Sequence, residues 1–192
     1  MPSSSSKARR KARPNAHLYI DGYNMIGAWP FLKESRDKYG LETARYDLIE
    51  ALSGYTTFQG YETEVVFDAQ FSQTVGSRES INDYLWVCFT DANQTADTYI
   101  EKSCARFYGQ VNARHHRLIV ATSDRAQQLT VVGYGAEWMS ANQLLSDIEW
   151  AQRRITHKLR TAPKPNRHRL SNTLDPLVQK RLAQMRFGMT GK

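Results

Sequence analysis

Cysteine is scarce in this chain: Cys88 and Cys104 are the only two among 192 residues, and both sit in apolar segments. They lack the spacing of a zinc site, so the reading is of small buried hydrophobes in a reducing compartment. Long apolar runs are missing as well. None approaches the roughly 20 residues needed to cross a bilayer, which excludes a membrane-spanning helix. The basic N-terminus is followed by no apolar stretch, which excludes a secretory signal. No internal repeat is visible. What is there, with 41% hydrophobic and 23% charged residues, is the composition of a soluble globular protein. Its length suffices for one well-buried domain.

Acid is absent from one end of the chain and nearly so from the other. Residues 1–16 carry Lys7, Arg9, Arg10, Lys11 and Arg13 and no acid, a charge of +5. Residues 150–192 hold 11 basic residues against Asp175 alone, giving +10, while 17–149 hold 10 basic and 18 acidic residues, giving −8. Basic ends attract phosphates whatever the sequence, so a nucleic acid or ribosomal partner is expected. The bland alternative is a pair of solubilising tails.

Residues 1–15 show no apolar periodicity and are expected to be a disordered basic arm. The composition of this arm, rich in Ser and Arg, also suits an organelle-targeting segment, which would mean the chloroplast stroma. Without amphipathic periodicity, the cytoplasm is the expected compartment. Order begins with His17–Ile20, an apolar run that stops at Asp21–Gly22, as a central strand does. Leu41, Leu48, Ile49, Leu52 and Tyr55 follow helical steps across about 41–58. Strands are expected at 64–67, 85–89, 118–121 and 137–139. Helices are expected at 95–108, from Asp124 to about Val132, and from a Ser140 cap to about Leu159. Strands alternating with helices predict an α/β domain with a mainly parallel sheet covered on both faces. The loop 69–80 is long and polar, and Phe71 and Arg78 in it are candidates for touching unstacked bases. After Pro163 and Pro165, a last helix is expected from Asp175 to Phe187, with Pro176 at its first turn and Gly188 at its stop.

The informative feature is where the aspartates fall. Asp21, Asp68 and Asp124 each lie at or just beyond the end of an expected strand. In a parallel sheet those ends share one edge, outside which ligands bind. Asp97 opens the helix after the third strand and reaches the same edge, with Glu101 one turn further on. Singly, each has an ordinary reading as a turn former, strand terminator or first-turn helix residue. Gathered carboxylates repel, so such a site stays wet, shares protons or binds a cation. Oxygen donors without histidine or cysteine point to Mg²⁺ or Mn²⁺. His115, His116 and His157 read as surface residues.

The segment Leu18-Tyr19-Ile20-Asp21-Gly22-Tyr23-Asn24-Met25-Ile26 resembles the opening motif of YacP-like NYN-domain proteins, in the PIN-like nuclease superfamily. Val65-Val66-Phe67-Asp68-Ala69, Thr95-Ala96-Asp97-Thr98-Tyr99-Ile100-Glu101 and Val120-Ala121-Thr122-Ser123-Asp124 follow in the family's order. The resemblance spans about residues 17–187. It implies a three-layer Rossmann-like fold and a metal-dependent endoribonuclease that associates with the ribosome and cuts messenger RNA during translation. It also implies that Asp21, Asp97 and Asp124 are metal ligands and Asn24 a polar site residue that positions a ligand or the first aspartate. Asp68 and Glu101 are then either neighbours of the ligands or ligands through water. The nuclease domain would span 16–160, with 161–192 a basic linker and terminal helix.

An acidic site repels RNA unless its cation is present, so affinity has to come from elsewhere. Arg153, Arg154, Lys158, Arg160, Lys164, Arg167 and Arg169 are the candidates. No organic cofactor is expected. Two other readings compete: a non-catalytic RNA- or ribosome-binding protein of the same fold, and a phosphatase of the haloacid-dehalogenase type. The last needs an acid two residues after the first aspartate, and Tyr23 stands there.

Overall fold

The structure, a computed structural model, describes residues 14–69, 76–109 and 117–161. The arm up to Arg13, Phe71, His115, His116, Lys164, Arg167, Arg169 and the helix expected at Asp175–Phe187 lie outside the described residues. In chain order the elements are β1 (Ala16–Asp21), α1 (Gly22–Ala28), α2 (Pro30–Tyr39), α3 (Leu41–Gln59), β2 (Tyr61–Phe67) and β3 (Ser77–Asn82). There follow β4 (Leu85–Phe89), α4 (Ala96–Gly109), β5 (Arg117–Ala121), α5 (Arg125–Gly133), β6 (Glu137–Met139) and α6 (Ala141–Thr161). The strands form one sheet in the order β3-β4-β2-β1-β5-β6. Every neighbouring pair is parallel except β3 with β4.

The period of two along each strand builds the layers. Leu18, Ile20, Val65, Phe67, Ile119 and Ala121 point to one face, where they meet Met25, Leu32, Leu48, Leu52, Leu144 and Ile148 of α1, α2, α3 and α6. Val66, Leu118 and Val120 point to the other and meet Ile100 and Cys104 of α4 and Val131 of α5. The sheet is thus covered on both sides, as the alternation of strands and helices implied. Cys88 and Cys104 are both buried free thiols.

Local chemistry sets the helix ends. Ala44, Leu48, Leu52 and Tyr55 bury one stripe of α3, which stops at Gly60 in the left-handed conformation, φ 65°. Ser140 Oγ accepts the Gln143 N–H at 3.2 Å and opens α6, which buries Ala141, Leu144, Ile148 and Ala151.

The structure fills in one segment and corrects another. Residues 22–39 form α1 and α2, separated at Trp29, where Pro30 starts the second helix. The segment 69–80, expected as loop throughout, contributes β3, an edge strand paired antiparallel to β4. Ser77-Arg78-Glu79-Ser80-Ile81-Asn82 is exposed along almost its whole length, so it carries no apolar alternation by which to be read. Packing divides the chain after Ile155; the second unit is described only through Thr161, the last turns of α6. Among the described residues no helix is long and apolar enough to cross a membrane.

Candidate active site

Parallel pairing brings the C-terminal ends of β1, β2 and β5 to one edge, and each delivers an aspartate there. Asp21 ends β1 and caps α1: its side chain accepts the Asn24 backbone N–H at 3.0 Å and the Asn24 amide at 2.7 Å. Asp68 follows β2, and its carboxylate accepts the Ala96 N–H at 2.8 Å, fixing the start of α4 against that strand. Asp97 is the next residue of α4. Asp124 follows β5 and caps α5, accepting from Ala126 and Gln127 N–H at 2.7 and 3.1 Å. Asp21, Asp68 and Asp97, with Tyr23, Asn24 and Ser123, line a cleft of about 580 Å³.

Electrostatics mark Asp97. Its carboxyl is half-buried and pushed up to about 6, first by desolvation and then by the charges of Asp21, Asp124, Asp68 and Glu101. Asp124 and Glu101 therefore act on the cleft although they do not line it. Among the described residues Asp97 has neither a hydrogen-bond donor nor a cation, so its repulsion stays uncompensated. Asp21 is also raised, by burial above all, while the two Asn24 hydrogen bonds oppose that rise.

The donor set is entirely oxygen, which suits a hard divalent cation, and such a cation would relieve the repulsion around Asp97. The acids surround the cleft without meeting: among the described residues no three form a ready-made ligand group. A Cβ at Gly22 would fall 2.2 Å from the Phe67 ring, so glycine lets this buried ring pack against the first residue of α1. Gly22 follows Asp21, and Phe67 precedes Asp68.

The motifs named above are matched across most of the chain: residues 18–187 fit the family described as the YacP-like NYN domain. The chain belongs to that family. YacP of Bacillus subtilis strain 168 is 39% identical over 150 residues, 77% of this chain and 85% of that protein. The crystal structure of Rae1 (YacP) from B. subtilis matches with a TM-score of 0.63 and 37% identity, covering 89% of this chain and 94% of that one. A point variant of the same protein gives 0.63 and 35%, covering 88% and 99%. The fold is thus PIN-like, as the resemblance implied, and the family is of the nuclease type.

Around the NYN cleft the structure places Asn24 against Asp21 and adds contacts that the sequence reading left out. The Asn24 side chain donates to Asp21 and accepts the Ser123 N–H at 3.3 Å, tying β1 to the turn after β5. The Tyr23 hydroxyl accepts from Arg45 of α3 at 3.3 Å. The spacing of 99 residues between Asn24 and Ser123 leaves no local signal for such a pair. Arg153 and Arg154 stand exposed on α6, the first beside Glu149 and the second over the Trp150 ring. Lys158 and Arg160 are exposed on its last turns, within the second unit.

Proposed function

We propose that this chain is a metal-dependent endoribonuclease that works at the ribosome, in the cytoplasm, and cuts messenger RNA during translation. The observation that carries the reading is the uncompensated Asp97 at the centre of an acidic cleft built from three strand ends. Membership of the YacP-like NYN family supports it, as do the charges of +5 and +10 at the two ends of the sequence, which suit an RNA-rich partner.

Asp21, Asp97 and Asp124 would hold Mg²⁺ or Mn²⁺, with Asp68 and Glu101 as neighbours. The bound cation would lower the pKa of water and neutralise charge on the phosphorus. The chain's own residues prepare that site. Asn24 orients Asp21 through two hydrogen bonds, and Asp68 holds the start of α4 so that Asp97 faces the cleft.

One observation favours a second reading, a non-catalytic RNA- or ribosome-binding protein: among the described residues no three acids meet in advance of a cation. Cleavage of ribosome-bound message in Mg²⁺ separates the two. Asp21→Asn and Asp97→Asn are expected to lose on the order of a hundredfold or more in rate, while folding and ribosome binding persist. Asparagine at position 21 keeps the helix cap. A double variant that cuts at the wild-type rate would overturn the catalytic assignment, and a wild type that binds ribosomes without cutting would establish the second reading.

A further inference from the structure

An acidic cleft holds RNA poorly by itself, so a cation for the RNA backbone is expected close beside it. A second cleft, of about 220 Å³, is lined by Arg78, Phe89, Thr90, Gln94 and Tyr99 among others. Hydrogen bonds tie its lining to the segment that carries Asp68 of the first. Thr90 donates its N–H to Phe67 O at 3.0 Å and accepts the Ala69 N–H on its hydroxyl at 3.0 Å, bracketing Asp68 between bonded neighbours.

A row of rings joins the two clefts: Tyr23 lies 5.1 Å from Phe67, and Phe67 stacks 5.5 Å from Phe89. Tyr23 lines the acidic cleft and Phe89 the second. Arg45 spans the interval, donating to the Tyr23 hydroxyl while its guanidinium sits 5.5 Å from the Phe89 ring centre. Arg36, Arg78, Arg117 and Arg153 all pair with carboxylates; among the described residues Arg45, like Arg106, Arg125, Arg154 and Arg160, pairs with none. The side-chain amide of Gln94, which lines the second cleft, bonds to none of the described residues, and its donors and acceptor suit a base edge.

We propose that the second cleft is a nucleotide subsite for single-stranded RNA, with Arg45 binding the phosphate that joins its occupant to the nucleotide over the acidic cleft. The unstacked base enters beside Phe89 and Tyr99 and is read by Gln94. The subsite rests on the reading of the acidic cleft as the place where RNA is cut. It supplies what that reading lacks, a cation and a base-sized recess within reach of the scissile bond.

The test measures anisotropy of a short fluorescein-labelled single-stranded oligoribonucleotide with the full chain, in EDTA so that cleavage does not interfere. Arg45→Ala should weaken binding about tenfold and reduce the salt slope by about 0.7, one phosphate's share on a single strand. Arg45→Lys should keep that slope. Gln94→Ala should narrow the difference between intact oligonucleotides and those carrying one abasic position. In the wild type, a 4-thiouridine oligonucleotide should photocrosslink within the segment 76–99, a readout independent of any variant's folding. Binding by Arg45→Ala equal to wild type, or crosslinks confined to α6, would overturn the subsite. A wild type that binds the oligonucleotide but does not cut it in Mg²⁺, alongside an Arg45→Ala protein that fails to bind, would sink the nuclease reading and leave the subsite standing as a binding site.

Discussion

Two carboxylates near α4 are treated in opposite ways. Glu64, in the middle of β2, is only 8% exposed. It accepts the Tyr99 hydroxyl at 2.5 Å and pairs with Arg78 at 3.2 Å. Asp97 precedes Tyr99 by two residues on the same helix and is less buried, yet among the described residues it faces other acids and no cation. Burial alone therefore does not mark the functional acid here. The compensated carboxylate fastens α4 to the sheet, and the uncompensated one is left to be satisfied by something the chain does not supply.

Removing each charge in turn should break that comparison most visibly. Glu64→Leu strands the Tyr99 hydroxyl and frees Arg78; allowing for Arg78's exposure, the cost should be about 2 kcal/mol in urea unfolding. Asp97→Asn should raise the melting temperature of the metal-free protein, because it removes a repulsion. If both variants shift stability the same way, the contrast between them is wrong.

Acidity should sharpen the comparison by a smaller amount. The native carboxyl of Asp97 titrates at about 6, above its ordinary value of 3.8. As pH falls from about 6 towards 4, the folded state therefore holds more protons than the unfolded one, and this group's contribution to stability rises. Melting of the metal-free wild type should show that gain and Asp97→Asn should lack it. By the same titration, stabilisation by Mn²⁺ should be present near neutrality and fade below about pH 6.

The smallest effect concerns Asn24. Asn24→Ala loses the side-chain hydrogen bond to Asp21 and the link to Ser123, so Mn²⁺ affinity by calorimetry should fall about tenfold, with about 1 kcal/mol of stability lost. Unchanged affinity would reduce Asn24 to a helix-start residue.

Much of this was legible in the sequence because strand ends announce themselves. Ile20–Asp21, Phe67–Asp68 and the turn Thr122-Ser123-Asp124 each switch from apolar to acidic where a buried strand meets solvent, and the site acids sit at those switches. Ser140, placed before a helical stripe, likewise marked the start of α6. The missed elements gave no such contrast. In 22–39 glycine, proline and charge interrupt the periodicity, and tertiary packing of Met25, Ile26, Trp29 and Leu32 makes helices of it. In β3 both faces meet water. Arg45 and Glu64 were illegible for another reason: their meaning lies in Tyr23, Phe89, Arg78 and Tyr99, which only the fold brings to them.

Gly22 has a consequence for how such a protein can fail. It performs no chemistry, yet it sits between one acid and the ring that precedes another. A single added carbon there would collide with the Phe67 ring and force a shift beside Asp21 and Asp68. Activity could then be extinguished with every acidic residue still in place, so an inventory of intact aspartates is no guarantee of a working copy.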